Sequence, residues 1–285
     1  MIPPLANLAS RRTAIGAPLC LGIDPHPDQL PEDLPKTVAG IETFARGLIE
    51  AAGEHVVAVK VNVAFFEALG SAGWAALERV RRDVPAEVLC ILDAKRGDIG
   101  STAERYAAGL FGHLGAHAVT LSPYLGEDAV APFLAYPDRL VYLLARTSNP
   151  SAPRVQELLV DGEPLYLRVA RWAAATWTDG RVGLVVGATA PAELAELRSQ
   201  LPGPAFLVPG VGAQGGDLSA SARACDGAWA PGVVSVSRAI AGASRGADWR
   251  AAGAAVARGL RSRMQEAVIH SDATAVERPR TEVGD

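Results

Sequence analysis

Val88-Leu89-Cys90-Ile91-Leu92-Asp93-Ala94-Lys95-Arg96-Gly97-Asp98 joins an apolar run to two carboxylates and a lysine. The run, 88–92, has the length and residue types of a buried strand. Charged groups directly after such a run are costly to bury unless they pair. In a strand, Asp93 and Lys95 share a face. Gly97 lets the chain turn and bring Asp98 near. The stretch therefore predicts a cation held between two carboxylates at the mouth of a sheet or barrel. Opposite charges at close range favour each other's ionised forms, and an ammonium group held in this way can deliver a proton to a reacting atom. A structural ion pair at a strand end fits the same residues.

Seven more apolar runs flank this one: 19–23, 56–62, 118–121, 140–144, 182–186, 205–208 and 232–236. Helical patterns lie between them. One covers 37–53, with Ile41, Phe44, Ala45 and Leu48 on one face. Others cover 65–83, from Ser101 to about Gly115, 127–135, 164–178, from Pro191 onward, and 246–268. Ser101-Thr102-Ala103-Glu104 has the form of a capping box. Residues 1–18 read as a short helix and loop, 149–163 as loop-rich, and 270–285, polar and aperiodic, as a disordered tail. Strands alternating with helices at this length describe a (β/α)8 TIM barrel, a single domain over 1–269. A doubly wound open sheet is the competing α/β fold, but no Gly-x-Gly-x-x-Gly follows the first run.

Composition bounds the function. With 285 residues, 49% hydrophobic, the chain can bury a large core, and a formal charge of −4 leaves no basic footprint for nucleic acid. No apolar run reaches membrane-spanning length and the N-terminus shows no signal-peptide pattern, so no membrane association is expected. The cysteines, Cys20, Cys90 and Cys225, are odd in number and far apart. They read as buried thiols of a cytoplasmic protein. There is no Cys-x-x-Cys, and no zinc site is expected. The only lysines are Lys36, Lys60 and Lys95. In a chain that otherwise uses arginine, two lysines stand at strand ends, where a transferable proton is of use.

In a barrel the active site gathers at the C-terminal strand ends. Asp24, Lys60, Asp93, Lys95, Ser122, Ser148, Thr189 and Arg238 stand there. Four glycines within 210–216 free backbone N–H groups to converge on an anion, and Arg238 after the eighth run adds a planar charged fork. A phosphorylated small molecule is the expected ligand.

Asp93-x-Lys95-x-x-Asp98, Lys60-Val61-Asn62, and Pro209-Gly210-Val211-Gly212-Ala213-Gln214-Gly215-Gly216-Asp217 with Arg238 together resemble the orotidine 5′-phosphate decarboxylase family. Asp-Ala-Lys-Arg-Gly-Asp-Ile-Gly is similar to its longer bacterial branch. The resemblance implies conversion of orotidine 5′-monophosphate to UMP and carbon dioxide, the last step of de novo pyrimidine biosynthesis, without metal or organic cofactor. It implies that Lys95 protonates C6 and that Asp93 faces the departing carboxylate. Asp98 and Thr102 would reach into the neighbouring site of a homodimer. Asp24 and Lys60 would hold ribose hydroxyls, and Ser148 the pyrimidine. Gly212, Gln214 and Arg238 would hold phosphate, with Gln214 on a closing loop. Two readings stay open beside this one: a magnesium-dependent keto-sugar-phosphate decarboxylase or aldol-type synthase on the same barrel, and a phosphate-ligand-binding protein without turnover.

Overall fold

The structure, a computed structural model, describes residues 2–212 and 215–276, with side chains through residue 269. In chain order it contains α1 (Pro3–Ile15), β1 (Leu19–Ile23), α2 (Val38–Ala52), β2 (Ala58–Asn62), α3 (Ala64–Glu67), α4 (Gly70–Arg82), β3 (Leu89–Arg96), α5 (Gly100–Ala107), β4 (Ala118–Leu121), α6 (Ala131–Leu134) and β5 (Leu140–Arg146). There follow α7 (Pro153–Gln156), β6 (Leu159–Val160), β7 (Glu163–Pro164), α8 (Leu165–Thr176), β8 (Val182–Val186), α9 (Pro191–Gln200), β9 (Phe206–Pro209), α10 (Leu218–Arg223), β10 (Val233–Val236), α11 (Arg238–Ala241) and α12 (Trp249–Val276).

Eight parallel strands close into a barrel in the order β1-β10-β9-β8-β5-β4-β3-β2. Helices cover its outside and side chains fill its inside, so β1, β8 and β10 are buried at every residue. That double burial is why these strands read as unbroken apolar runs, without alternation. Size is matched across the barrel: Gly183 pairs with Tyr142. A Cβ at Gly183 would lie 2.8 Å from the Tyr142 ring, so only glycine admits that buried aromatic. On the outer layer, α2 buries the predicted Ile41, Phe44, Ala45 and Leu48, and Phe44 meets Trp249 of α12 with ring centroids 5.1 Å apart. At the N-terminal end of β2, Arg11 of α1 donates to the carbonyls of Val56 at 2.7 Å and Gly53 at 2.5 Å.

Several boundaries differ from the sequence reading. The helix expected over 65–83 is broken between α3 and α4, where Gly70 takes φ +65°. A Cβ at Gly73 would lie 2.1 Å from the Phe66 carbonyl, so the two pieces pack backbone against side-chain-free backbone. The box at 101–104 does not cap α5, which begins at Gly100 with no side-chain cap. Instead Asp98 Oδ1 accepts the Ile99 N–H at 2.8 Å, just outside the helix. A π-helical stretch, Ala108–His113, extends α5. The connection 149–163 is not bare loop, since it carries α7 and part of the β6–β7 hairpin. Helix α12 runs on to Val276, into the stretch read as a tail; 277–285 lie outside the described residues.

Candidate active site

The C-terminal ends of the strands surround a cavity of about 470 Å³. β1 leads into Asp24, β2 supplies Lys60 and Asn62, β3 supplies Asp93 and Lys95, and β4 supplies Thr120. The exit of β5 adds Thr147, Ser148 and Asn149, and Gln156 of α7 closes that side. Leu144, Val185, Leu207 and Pro209 give the cavity its apolar wall.

The charged groups form an alternating row. Lys60 Nζ stands 3.8 Å from Asp24 Oδ1 and 2.9 Å from Asp93 Oδ2. Asp93 Oδ1 receives Lys95 Nζ at 2.5 Å and the Thr120 hydroxyl at 2.9 Å. Burial alone would push the Asp93 carboxyl up, but the Lys60 and Lys95 ammonium groups outweigh it and hold it well below the usual carboxylate range. Burial likewise opposes charge on Lys60, but Asp93 and Asp24 outweigh it and raise its pKa above that of a free lysine. Asp24 Oδ1 is buried and, among the described residues, accepts no hydrogen bond. Such an atom is costly to leave unpaired, so it marks a place for a donor from a ligand.

The row depends on an irregularity in β3. Leu92 pairs with Val119 and Arg96 with Leu121, so Asp93, Ala94 and Lys95 together oppose the single residue Thr120. Lys95 takes φ +48°, a left-handed conformation that is uncommon for a non-glycine residue. The bulge leaves two N–H groups, of Ala94 and Lys95, out of the ladder. Thr120 Oγ1 accepts both, each at 3.0 Å, while donating to Asp93. Beyond the bulge the ladder resumes, with the Ser122 N–H on the Arg96 carbonyl at 2.8 Å. Asp93 and Lys95 therefore meet as predicted, but across a bulge within a longer strand. Sequence reasoning missed Thr120; its signal was a hydroxyl inside the otherwise apolar run Ala118-Val119-Thr120-Leu121.

Other expected residues are placed differently. Among the described residues Lys95 pairs with Asp93 and not with Asp98, and the cation that stands between two carboxylates is Lys60, between Asp24 and Asp93. Asp98 is half-buried and Thr102 exposed, and neither lines the cavity of its own chain. Ser122 and Thr189 also stay off it, while Ser148 lines it. Gly210, Gly212 and Gly215 take φ of +101°, +83° and +80°, conformations that require glycine. A Cβ at Gly212 would stand 3.7 Å from Ala239 Cβ, which brings the turn after β9 beside α11 and its exposed first residue, Arg238. Gln214 lies outside the described residues. Among the described residues, no three His, Cys, Asp or Glu side chains gather to hold a metal ion, and no helix is long and apolar enough to cross a membrane.

A closed (β/α)8 barrel with paired lysines and carboxylates at its strand ends, and glycine turns beside an arginine, has the architecture of a barrel enzyme. Residues 17–252 match the family model described as Orotidine 5′-phosphate decarboxylase / HUMPS family, and the chain belongs to that family. A relative from Roseiflexus castenholzii, named orotidine 5′-phosphate decarboxylase, is 53% identical over 253 residues, covering 88% of this chain and 93% of its own. A protein of the same name from Herpetosiphon aurantiacus is 48% identical over 241 residues, covering 84% and 89%. Among solved structures, the Leishmania donovani OMP decarboxylase superposes with a TM-score of 0.78 at 41% identity, covering 93% of this chain and 99% of that one.

Proposed function

We propose that the chain decarboxylates orotidine 5′-monophosphate to UMP and carbon dioxide, using no metal or organic cofactor. The observation that carries this is the row Asp24–Lys60–Asp93–Lys95 at the barrel mouth, in a chain whose relatives bear that enzyme's name over most of their length. The magnesium-dependent and aldol-type readings are not favoured by those relatives.

Breaking the C6–carboxylate bond leaves an electron pair on a carbon that has no π-acceptor. A fixed cation at that point offsets the developing charge. Lys95 is that cation: as carbon dioxide departs its Nζ gives a proton to C6, and the neutral amine takes up one proton from solvent, the proton the net reaction consumes. Two unit charges about 4 Å apart interact by roughly 4 kcal/mol at an effective dielectric near 20. The interaction accelerates the step only as far as it is stronger in the transition state. Asp93, ionised between two ammonium groups, faces the leaving carboxylate and keeps Lys95 aimed. Asp24, whose buried Oδ1 accepts no hydrogen bond among the described residues, and Lys60 take ribose hydroxyls. Ser148 takes the pyrimidine, and Gly212, Gln214 and Arg238 take the phosphate.

Asp98 and Thr102 serve the site of a second copy of the chain. In support, they stand off their own cavity among exposed apolar side chains: Ile99 and Tyr106 beside them, with Tyr124 and Leu125 after β4. The enzyme is accordingly a homodimer. It works in the cytoplasm, a placement supported by three free, buried thiols. The test is release of carbon dioxide from orotidine 5′-monophosphate in the presence of EDTA. Turnover that survives the chelator is expected; no turnover of this substrate refutes the proposal.

A further inference from the structure

The exit of β5 is held by a device that the site chemistry does not use. Within α7, Pro153, Arg154 and Val155 are exposed and Gln156 alone turns inward. Its Oε1 accepts the Thr147 N–H at 2.8 Å, and its Nε2 donates to Thr147 Oγ1 at 2.6 Å. Because that hydroxyl accepts from Gln156, its own proton goes to Asn149 Oδ1 at 2.6 Å. Asn149 Nδ2 in turn donates to Ser151 Oγ at 3.1 Å. The remaining polar group of Thr147, its carbonyl, accepts from Arg146 Nη1 at 2.9 Å. Buried Arg146 also pairs with Glu157, the neighbour of Gln156, at 2.7 Å. Residues 156–157 thus clamp residues 146–147 twice over, and every polar group of Thr147 is engaged.

Apolar packing does not explain this clamp. Val155, Leu158 and Leu159 around it are 55%, 56% and 69% exposed, and only Ala152 is buried at its start. The polar bonds hold the segment in place. What they fix is the backbone directly before Ser148, which lines the cavity between two pinned residues.

We infer that Gln156 is a positioning residue: it sets the backbone of Thr147 and thereby presents Ser148 to the substrate's heterocycle. This rests on the reading above, in which Ser148 meets the pyrimidine. Fixing one residue's backbone before binding removes an ordering cost on the scale of about tenfold in affinity, equivalent to ~1.4 kcal/mol. The Gln156 amide both accepts from the Thr147 N–H and donates into the relay through Thr147 Oγ1 to Asn149 Oδ1, so its loss disturbs the whole exit and not one contact.

A double-mutant cycle separates action through Ser148 from general support of the fold. kcat/KM for orotidine 5′-monophosphate is measured for wild type, Gln156→Met, Ser148→Ala and the double variant, with melting curves to confirm folding. Gln156→Met is expected to lower kcat/KM about tenfold in the wild-type background and by less than about threefold in the Ser148→Ala background. A loss of about threefold or more in the Ser148→Ala background, the pattern of merely structural support, overturns the inference. An unaltered kcat/KM for Ser148→Ala, or for Gln156→Met alone, overturns it too. Should Gln156→Met fail to fold, Gln156→Glu takes its place under the same threshold, since it keeps the acceptor for the Thr147 N–H and loses the donor to Oγ1. Absence of turnover in wild type would instead sink the functional reading itself.

Discussion

Replacing Thr120 by valine removes one oxygen atom and leaves the volume filled. That oxygen stands opposite the β3 bulge, with three hydrogen bonds: the N–H groups of Ala94 and Lys95 at 3.0 Å each and the Asp93 carboxylate at 2.9 Å. A hydrogen bond to a charged group contributes about 1.5–3 kcal/mol, and a donor left unpaired costs ~1–3 kcal/mol. The two N–H groups are only part-buried, so each is taken at about 1 kcal/mol, at the low end of that range. Thr120→Val is therefore expected to destabilise the fold by roughly 3.5–5 kcal/mol, a large share of the stability of a typical domain, about 5–15 kcal/mol. Urea unfolding followed by circular dichroism measures this directly. The functional consequence is separate. Without the hydroxyl, the Lys95 N–H loses its acceptor at φ +48°, and the ammonium group is held by the Asp93 ion pair on a looser backbone, with a poorer aim at C6. kcat is expected to fall by ~10–100-fold, the scale on which misplaced catalytic groups act. A variant within about 0.5 kcal/mol of wild type and with kcat unchanged would show that the bulge holds itself, and would refute this account of how the lysine is placed.

Lys95→Ala is expected to abolish decarboxylation while UMP still binds, measurable by isothermal titration calorimetry; near-normal turnover would remove the mechanism. Mixing Asp98→Ala with Lys95→Ala subunits is expected to restore part of the activity, because one kind of site then has both groups intact. No recovery after verified subunit exchange would count against the shared site. Stability should also respond to acid through His117. Burial, together with Arg81 and Arg139, lowers its imidazole from 6.5 to about 4, and its Nδ1 accepts the Cys90 N–H at 3.1 Å, a bond that needs the neutral ring. The unfolded chain takes up this proton first, so the contribution is complete above about pH 6.5 and is lost as pH falls toward 4. His117→Asn is expected to flatten the decline of Tm across that window, and parallel curves for the two proteins would contradict the assignment.

How much of this was legible in the chain differs from element to element. The strands were readable because a closed parallel sheet covered by helices buries both faces, and so demands unbroken runs such as Val182-Gly183-Leu184-Val185-Val186. Lys60, Asp93 and Lys95 were readable because charge at the end of such a run has to be paired. Thr120 was not, since a threonine inside a strand is ordinary until the bulge opposite is known. Gln156 lay in a stretch with neither helical nor strand periodicity, and α7 is too short to leave one. The break at Gly70 was hidden because the apolar period of α3 and α4 continues across it.

By itself, the order of residues determined the barrel, the charged residue types at its mouth and the glycine turns, because these follow from local periodicity, from burial and from backbone freedom. Which charge meets which was decided only in three dimensions. Asp24 follows β1 while Lys60 and Asp93 lie on β2 and β3, and their alternation exists because register sets Gly22 beside Lys60 and Asn62 beside Asp93. That register is a property of barrel closure, to which every strand contributes, so no local stretch of sequence carries it.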